Sequence, residues 1–402
     1  MTNSNEIQFT RYLYEKDEVK LALITSILNK KEESVFWAYE LYYSGFVYEL
    51  VELFLNMYYD FYASLNPSFE NYLHIKIKLL FNKEGEQELE KEAEKEELLA
   101  VIVNNFMTRP FTCDVFFMRK LAKELVFVIP FVKEYQKKCD FTIIRSELKR
   151  LIEIEDYLTV ARILFYEIYG VHLKHVLELI VDHFMLKGLV LKKKAILTDF
   201  DTKIQNDYQI EKRLVFSRLI HFASLSKKIK MGRNLYVRIE PEDVVMYETI
   251  KVNLCEKGNG SKSAVLPAYK ILPIATMYEI DKDNYLSLFR LKRETRDITE
   301  AYLNHWLYHA SFSPLWKKRI DQHHGKIIHS KKTVEFEDED EEEIFYEHYG
   351  FEPDEQKKEI QNKTICPIVQ RRTWYDFYLQ HKNRGIIDID THYFENIEKL
   401  VY

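Results

Sequence analysis

By type and spacing, His305 and His309 are the clearest candidates for chemistry, because a step of four lets two imidazoles on one helix share a metal ion. Ile298 and Tyr302 fall on the same face, and the glutamate of a zinc-protease HExxH motif is missing. Packing is therefore the favoured reading. His323, His324 and His329 add to such a site only where the fold returns them to it. Asp388, Asp390 and His392 alternate, so an extended strand would aim all three to one side, as a carboxylate–imidazole metal site requires. Asp281/Asp283 and Asp338/Asp340 repeat the Asp-x-Asp spacing, which lowers its meaning in so acidic a chain.

The stretch Ala195 to Thr202, with Asp199 and Asp201, resembles the opening motif of haloacid-dehalogenase-type phosphatases. The resemblance implies a nucleophile at Asp199 and a general acid at Asp201. Lys203 stands where those enzymes prefer Thr or Val, and only three apolar residues precede Asp199, so a surface turn is expected instead. Lys257 to Ser263 looks like a phosphate loop but lacks a glycine five residues before Gly260, and reads as a flexible turn. The nucleophile-elbow, paired CxxC and dinucleotide signatures are absent from the sequence. No catalytic residue, metal ligand or cofactor is expected.

Two basic–aromatic clusters suit a partner better than a reaction. One is Lys227, Lys228 and Lys230 with Arg233 and Tyr236; the other is Arg371 and Arg372 with Trp374 and Tyr375. Arginine beside aromatics can meet phosphate or stack on bases, and equally can anchor a helix to the protein body. A nine-residue run from Glu335 to Glu343 holds eight acids, and a solvated linker is the expectation for it. Setting that run aside turns the net charge of −6 into near neutrality, so the broad basic footprint of a duplex-DNA binder is missing.

Helices must position these residues. Ten glycines and nine prolines in 402 residues leave few tight turns, and 28 Tyr, 26 Phe and 4 Trp demand large buried surfaces. Helical stripes run from Asp17 to about Asn82, with Gly45 as a left-handed C-terminal turn and Asn66-Pro67 as a cap. A charged helix from about 84 enters a core near Leu98 and stops at Arg109-Pro110; another spans about 114–138 with a bend at Pro130. Tyr166 to Gly170 echoes Tyr39 to Gly45, which suggests a duplicated helical hairpin. A β-containing segment is expected at about 233–292, a helix from an Asp297/Glu300 capping box to Ala310, and a terminal helix over 372–380. The expected division is a helical domain at 1–232, a mixed α/β segment at 233–330, an acidic linker at 331–362 and a tail at 363–402. The fold class is mainly α, a multi-helix bundle or irregular helical-hairpin array with a small β-containing segment in the C-terminal half.

Four separated cysteines, Cys113, Cys139, Cys255 and Cys366, read as free thiols in a reducing compartment. The first residues lack a secretory pattern, and no apolar run approaches the ~20 residues of a membrane span; peripheral attachment stays open.

The phrases ESVFWAYELYYSGF (33–46), DFYASLNP (60–67), TRPFTCDVFFMR (108–119), ASFSPLW (310–316) and RRTWYDFY (371–378) together resemble a family of uncharacterised proteins of nucleocytoplasmic large DNA viruses. The resemblance implies a life in host cytoplasm or virion, and carries no known activity, cofactor or site residue. The pattern of Leu23 to Pro67 is also similar to helical collar segments of clamp-loader-type assemblies, without their ATPase half. The leading expectation is a non-catalytic helical scaffold or adaptor with a protein partner. A nucleic-acid-associated accessory factor and a metal-dependent hydrolase are the alternatives.

Overall fold

Gly45 turns the chain sharply, with φ at +88° just past α2 (Ser34–Tyr43). Its N–H donates to Tyr42 O at 2.9 Å while Phe46 N–H donates to Leu41 O at 3.0 Å, the paired closure that requires a left-handed residue. A side chain here would also meet Pro314 Cβ at 2.6 Å, so glycine is needed for two reasons. The same closure ends helices at Lys30, Glu155, Gly188, Lys228 and His324, with φ from +54° to +92°. Four of these five positions hold a lysine, glutamate or histidine in the left-handed conformation usually left to glycine, which is how so glycine-poor a chain stops these helices.

The structure is a computed structural model. It describes residues 6–81, 88–124, 141–168, 172–203, 208–233, 235–239, 278, 280, 288, 297–349, 356–365, 373–390 and 392–394. The described residues are mainly α-helical, with one two-stranded antiparallel sheet in the C-terminal half. They fall into two units. The first comprises Met1–Leu53, Ile75–Thr108 and Tyr236–Arg372; the second comprises Phe54–His74, Arg109–Leu235 and Thr373–Tyr402. α3 (Val47–Met57) and α4 (Phe69–Phe81) each supply residues to both.

In the first unit α1 (Lys16–Leu28) packs on α2, and both pack on α5 (Glu88–Thr108). Tyr14, Phe36 and Trp37 meet edge to face with centroids 5.0–6.2 Å apart, the arrangement aromatic rings favour. Arg11 is buried with Glu40, Nε to Oε2 at 2.7 Å, while Tyr12 N–H donates to the other carboxylate oxygen. Glu96 of α5 is buried too, accepting the Tyr43 hydroxyl through its side chain and the Tyr39 hydroxyl through its carbonyl. Short helices α12 (Thr299–Leu303), α13 (Trp306–Ala310) and α14 (Pro314–Gln322) follow. Ser313 caps α14 by accepting Trp316 N–H, and the buried Trp316 indole donates to Thr10 O at 3.2 Å. The expected helix to Ala310 is therefore broken at Asn304-His305. Asp297 accepts Thr299 N–H in place of the capping box.

Strands β1 (Lys326–Ile328) and β2 (Thr333–Glu335) form a hairpin, and α15 (Glu339–Tyr349) and α16 (Lys358–Thr364) come after it. Most of the acidic run is thus the exposed first half of a helix. It is not a linker, because Phe345 and Tyr349 bury against Phe336 and His323 and hold the helix down. Acids in a first turn also favour a helix through the positive end of its dipole. The expected β-rich segment lies almost wholly outside the described residues, and 235–239 form no strand.

In the second unit α3 continues into a π-helical turn, Tyr58–Tyr62. Around it lie α6 (Asp114–Glu124), α7 (Phe141–Glu153), α8 (Tyr157–Tyr166), α9 (His172–Leu186), α10 (Lys193–Lys203), α11 (Tyr208–Ser226) and α17 (Trp374–His381). α11 is central, touching the π-turn, α6, α8 and α9. Asp156 caps α8 through Thr159 N–H, and Thr373 with Asp376 forms a reciprocal capping box on α17. Asn66 does not cap α4 by its side chain; its amide donates to Tyr62 O and Pro110 O instead. Gly170, the pivot of the suggested second hairpin, and the bend at Pro130 lie outside the described residues.

Candidate functional site

The strongest concentration of ionisable groups lies in the second unit, where α4, α10 and α11 meet. α4 places Glu70 in its first turn, α10 presents Asp199 and Lys203 one turn apart, and α11 presents Arg218 and His221 beside Phe222. Glu70 is buried. Its Oε2 lies 2.5 Å from Arg218 Nη2 and 2.7 Å from Lys203 Nζ, and its Oε1 accepts the Tyr59 hydroxyl at 2.9 Å. Asp199 Oδ2 meets Lys203 at 2.7 Å and Arg218 at 3.5 Å. Two carboxylates and two cations therefore balance.

Burial alone would push the Glu70 carboxyl up, but Arg218 and Lys203 outweigh it and hold it below its ordinary value. His221 has the opposite fate. Burial drives it down to about 4, so its ring is neutral near pH 7, and Nδ1 must carry the proton it donates to Ser64 O at 2.8 Å. These side chains line a cavity of about 420 Å³ whose other walls include Pro67, Leu191, Ile196 and Phe222.

A second buried acid sits in the π-turn. Asp60 accepts from two Arg119 nitrogens, Nη2 at 2.6 Å and Nε at 3.2 Å, with Arg213 at 3.5 Å behind it. A third, Asp114, is pushed up to about 6 by burial, although it accepts the N–H groups of Ile386 and Ile387 and the Thr112 hydroxyl. In each case a carboxylate ties together segments distant in sequence.

The residues singled out from sequence scatter. His305 Nδ1 faces Lys332 O at 3.0 Å and His309 Nδ1 faces Ile7 O at 3.1 Å, so the two imidazoles turn to different carbonyls. His323 pairs with Glu341 at 3.2 Å, His324 is 3.8 Å from the same carboxylate, and His329 meets the Tyr308 hydroxyl. Asp199 and Asp201 stand in helix α10, in place of the expected turn, and without the strand that would aim a phosphatase nucleophile; Asp201 pairs with Lys174 at 2.6 Å. Asp388 and Asp390 are exposed on either side of buried Ile389, and Asp390 closes locally on His392 N–H. Among the described residues no three or more His, Cys, Asp or Glu gather as a metal would need. Lys257–Ser263 lies outside those residues.

Of the partner-binding candidates, Trp374 is half-buried on Phe116 with Lys120 Nζ 5.2 Å over its ring, and Tyr375 lies near Phe394. Burial lowers the Lys120 ammonium to about 7. Arg371 and Arg372 are outside the described residues, while Lys227, Lys228, Lys230 and Arg233 are exposed in the turn after α11. Cys113 is buried and unpaired. No helix among the described residues is long and apolar enough to cross a membrane.

Sequence reasoning missed Glu70, Arg218 and His221. A signal existed in α11, where Leu214, Arg218, His221 and Phe222 share one face, so polar groups interrupt an apolar stripe. No protein-family model, curated protein or solved structure matches this chain.

Proposed function

We propose that the protein is a non-catalytic helical scaffold or adaptor, mediating protein–protein interaction in replication, transcription or particle assembly of a large DNA virus. The observation that carries this reading is the mutual commitment of Glu70, Asp199, Lys203 and Arg218 across α4, α10 and α11. Groups spent in this way position helices, whereas a reaction centre leaves a nucleophile or proton carrier facing substrate. Tyr48, 78% exposed with its ring stacked on Phe81, is the kind of amphipathic side chain that partner surfaces favour. The viral setting rests on the sequence resemblance alone.

A second reading, a nucleic-acid-associated accessory factor, draws on the exposure of Lys227, Lys228, Lys230 and Arg233. Binding to DNA that falls steeply with salt would favour it. The test of the scaffold reading is twofold. Purified protein is assayed on phosphate esters and nucleotides with magnesium, manganese or zinc; turnover abolished by Asp199→Asn or Asp388→Asn overturns it. A stoichiometric protein partner, captured from infected cells and retained by Asp199→Asn, supports it.

A further inference from the structure

Three helices of the second unit end side by side, and all three use the left-handed closure, at Glu155 after α7, Gly188 after α9 and Lys228 after α11. Glu155 joins them. Its carboxylate lies 3.6 Å from Lys187 Nζ and 3.5 Å from Lys227 Nζ, which brings the three turns to one surface. Each turn then carries an aliphatic side chain outward: Ile154 is 58% exposed, Leu186 85%, Val190 100% and Ile229 39%. Lone exposed aliphatics are ordinary, but four on adjoining turns form a patch.

Basic side chains lie close along the chain to those aliphatics and outnumber the exposed acid beside Ile154, Glu153. Lys192, Lys194, Lys228 and Lys230 are exposed and make no ion pair among the described residues. The combination discriminates between partners. Protein interfaces are depleted in lysine and enriched in aromatics, methionine and arginine, the reverse of what these turns present. Single-stranded nucleic acid is held by aromatic stacking beside its phosphate contacts, and aliphatic tips have no role against a phosphodiester. A bilayer with anionic headgroups uses both features, since aliphatic tips enter the headgroup–acyl boundary while lysines meet the surface charge.

We infer that this surface, formed by the turns after α7, α9 and α11, attaches the protein peripherally to membranes rich in anionic phospholipid. The attachment is independent of the scaffold reading, because vesicle binding and partner capture are separate measurements and either fails without the other. The full chain is floated with vesicles of phosphatidylcholine alone, or with about 30% phosphatidylserine, at about 0.1 M salt. It partitions onto the anionic vesicles and is released as salt rises to about 0.5 M. Changing Leu186 and Val190 together to Ser weakens partition by about tenfold or more. The triple change Lys192→Glu, Lys228→Glu and Lys230→Glu weakens it by about a hundredfold, and circular dichroism of both variants matches wild type because all five positions are exposed. Failure to bind anionic vesicles at low salt overturns the inference, as does binding that neither variant reduces. Loss of oligonucleotide binding in the triple variant with vesicle binding intact reassigns the surface to nucleic acid and also overturns it.

Discussion

Replacing Glu70 by Gln separates a structural clamp from a working site. Glutamine keeps the volume and can still accept the Tyr59 hydroxyl, so the change removes charge and little else. Breaking a buried ion pair from one side costs about 3–5 kcal/mol, because the abandoned cation stays out of water. Asp199 remains 2.7 Å from Lys203 and 3.5 Å from Arg218, and this residual partner trims the cost to about 2–4 kcal/mol. In urea, with stability falling by about 2 kcal/mol per molar, the unfolding midpoint should drop by roughly 1–2 M. Combining Glu70→Gln with Arg218→Gln should lose less than the two singles added, by about 1 kcal/mol or more. The pH dependence has a fixed sign. The folded-state carboxyl lies below the ordinary 4.5, so its contribution is present above that pH and vanishes as pH falls through the folded value. The deficit of the variant should therefore shrink in acid. An unchanged midpoint would refute the clamp, and a raised one would mark Glu70 as a strained functional group of the kind whose removal stabilises a protein.

Gly45→Ala and Gly188→Ala both place a side chain at positive φ, but only the first meets a neighbour, Pro314 Cβ at 2.6 Å. Urea melts should show a loss of about 1 kcal/mol at 188 and about 2–4 kcal/mol at 45. Lys30 occupies a left-handed closing position at φ +58°, so Lys30→Gly should stabilise by about 1 kcal/mol while Lys30→Ala gains nothing. His221 should titrate near 4 by NMR. The unfolded ring binds its proton near 6.5, so stability is full above that pH and falls by up to about 3 kcal/mol as pH drops to 4; His221→Asn should flatten this part of the profile.

Local features were readable from the chain. Gly45 stops α2 where its spacing demanded, and the helical stripes at Leu21, Ile24, Leu50 and Phe54 fall on buried faces of α1 and α3. Each depends on neighbours within one or two turns. The acidic run misled because composition suggests solvation, yet Phe345 and Tyr349 a turn further on find a buried seat and make a helix of it. His305 and His309 had the spacing of a shared ligand, but the helix breaks between Leu303 and Trp306 and each ring finds its own carbonyl.

A glycine-poor, aromatic-rich helical protein follows from the residues alone, since periodicity, capping stereochemistry and ring burial are written in neighbours close along the chain. That Glu70 meets Arg218 across 148 residues, and that the turns at Glu155, Lys187 and Lys227 share one surface, came from the packing of distant helices. An ion pair between distant helices has no local signature. It forms where packed apolar faces happen to carry charges into reach, and that geometry exists only once the helices have come together.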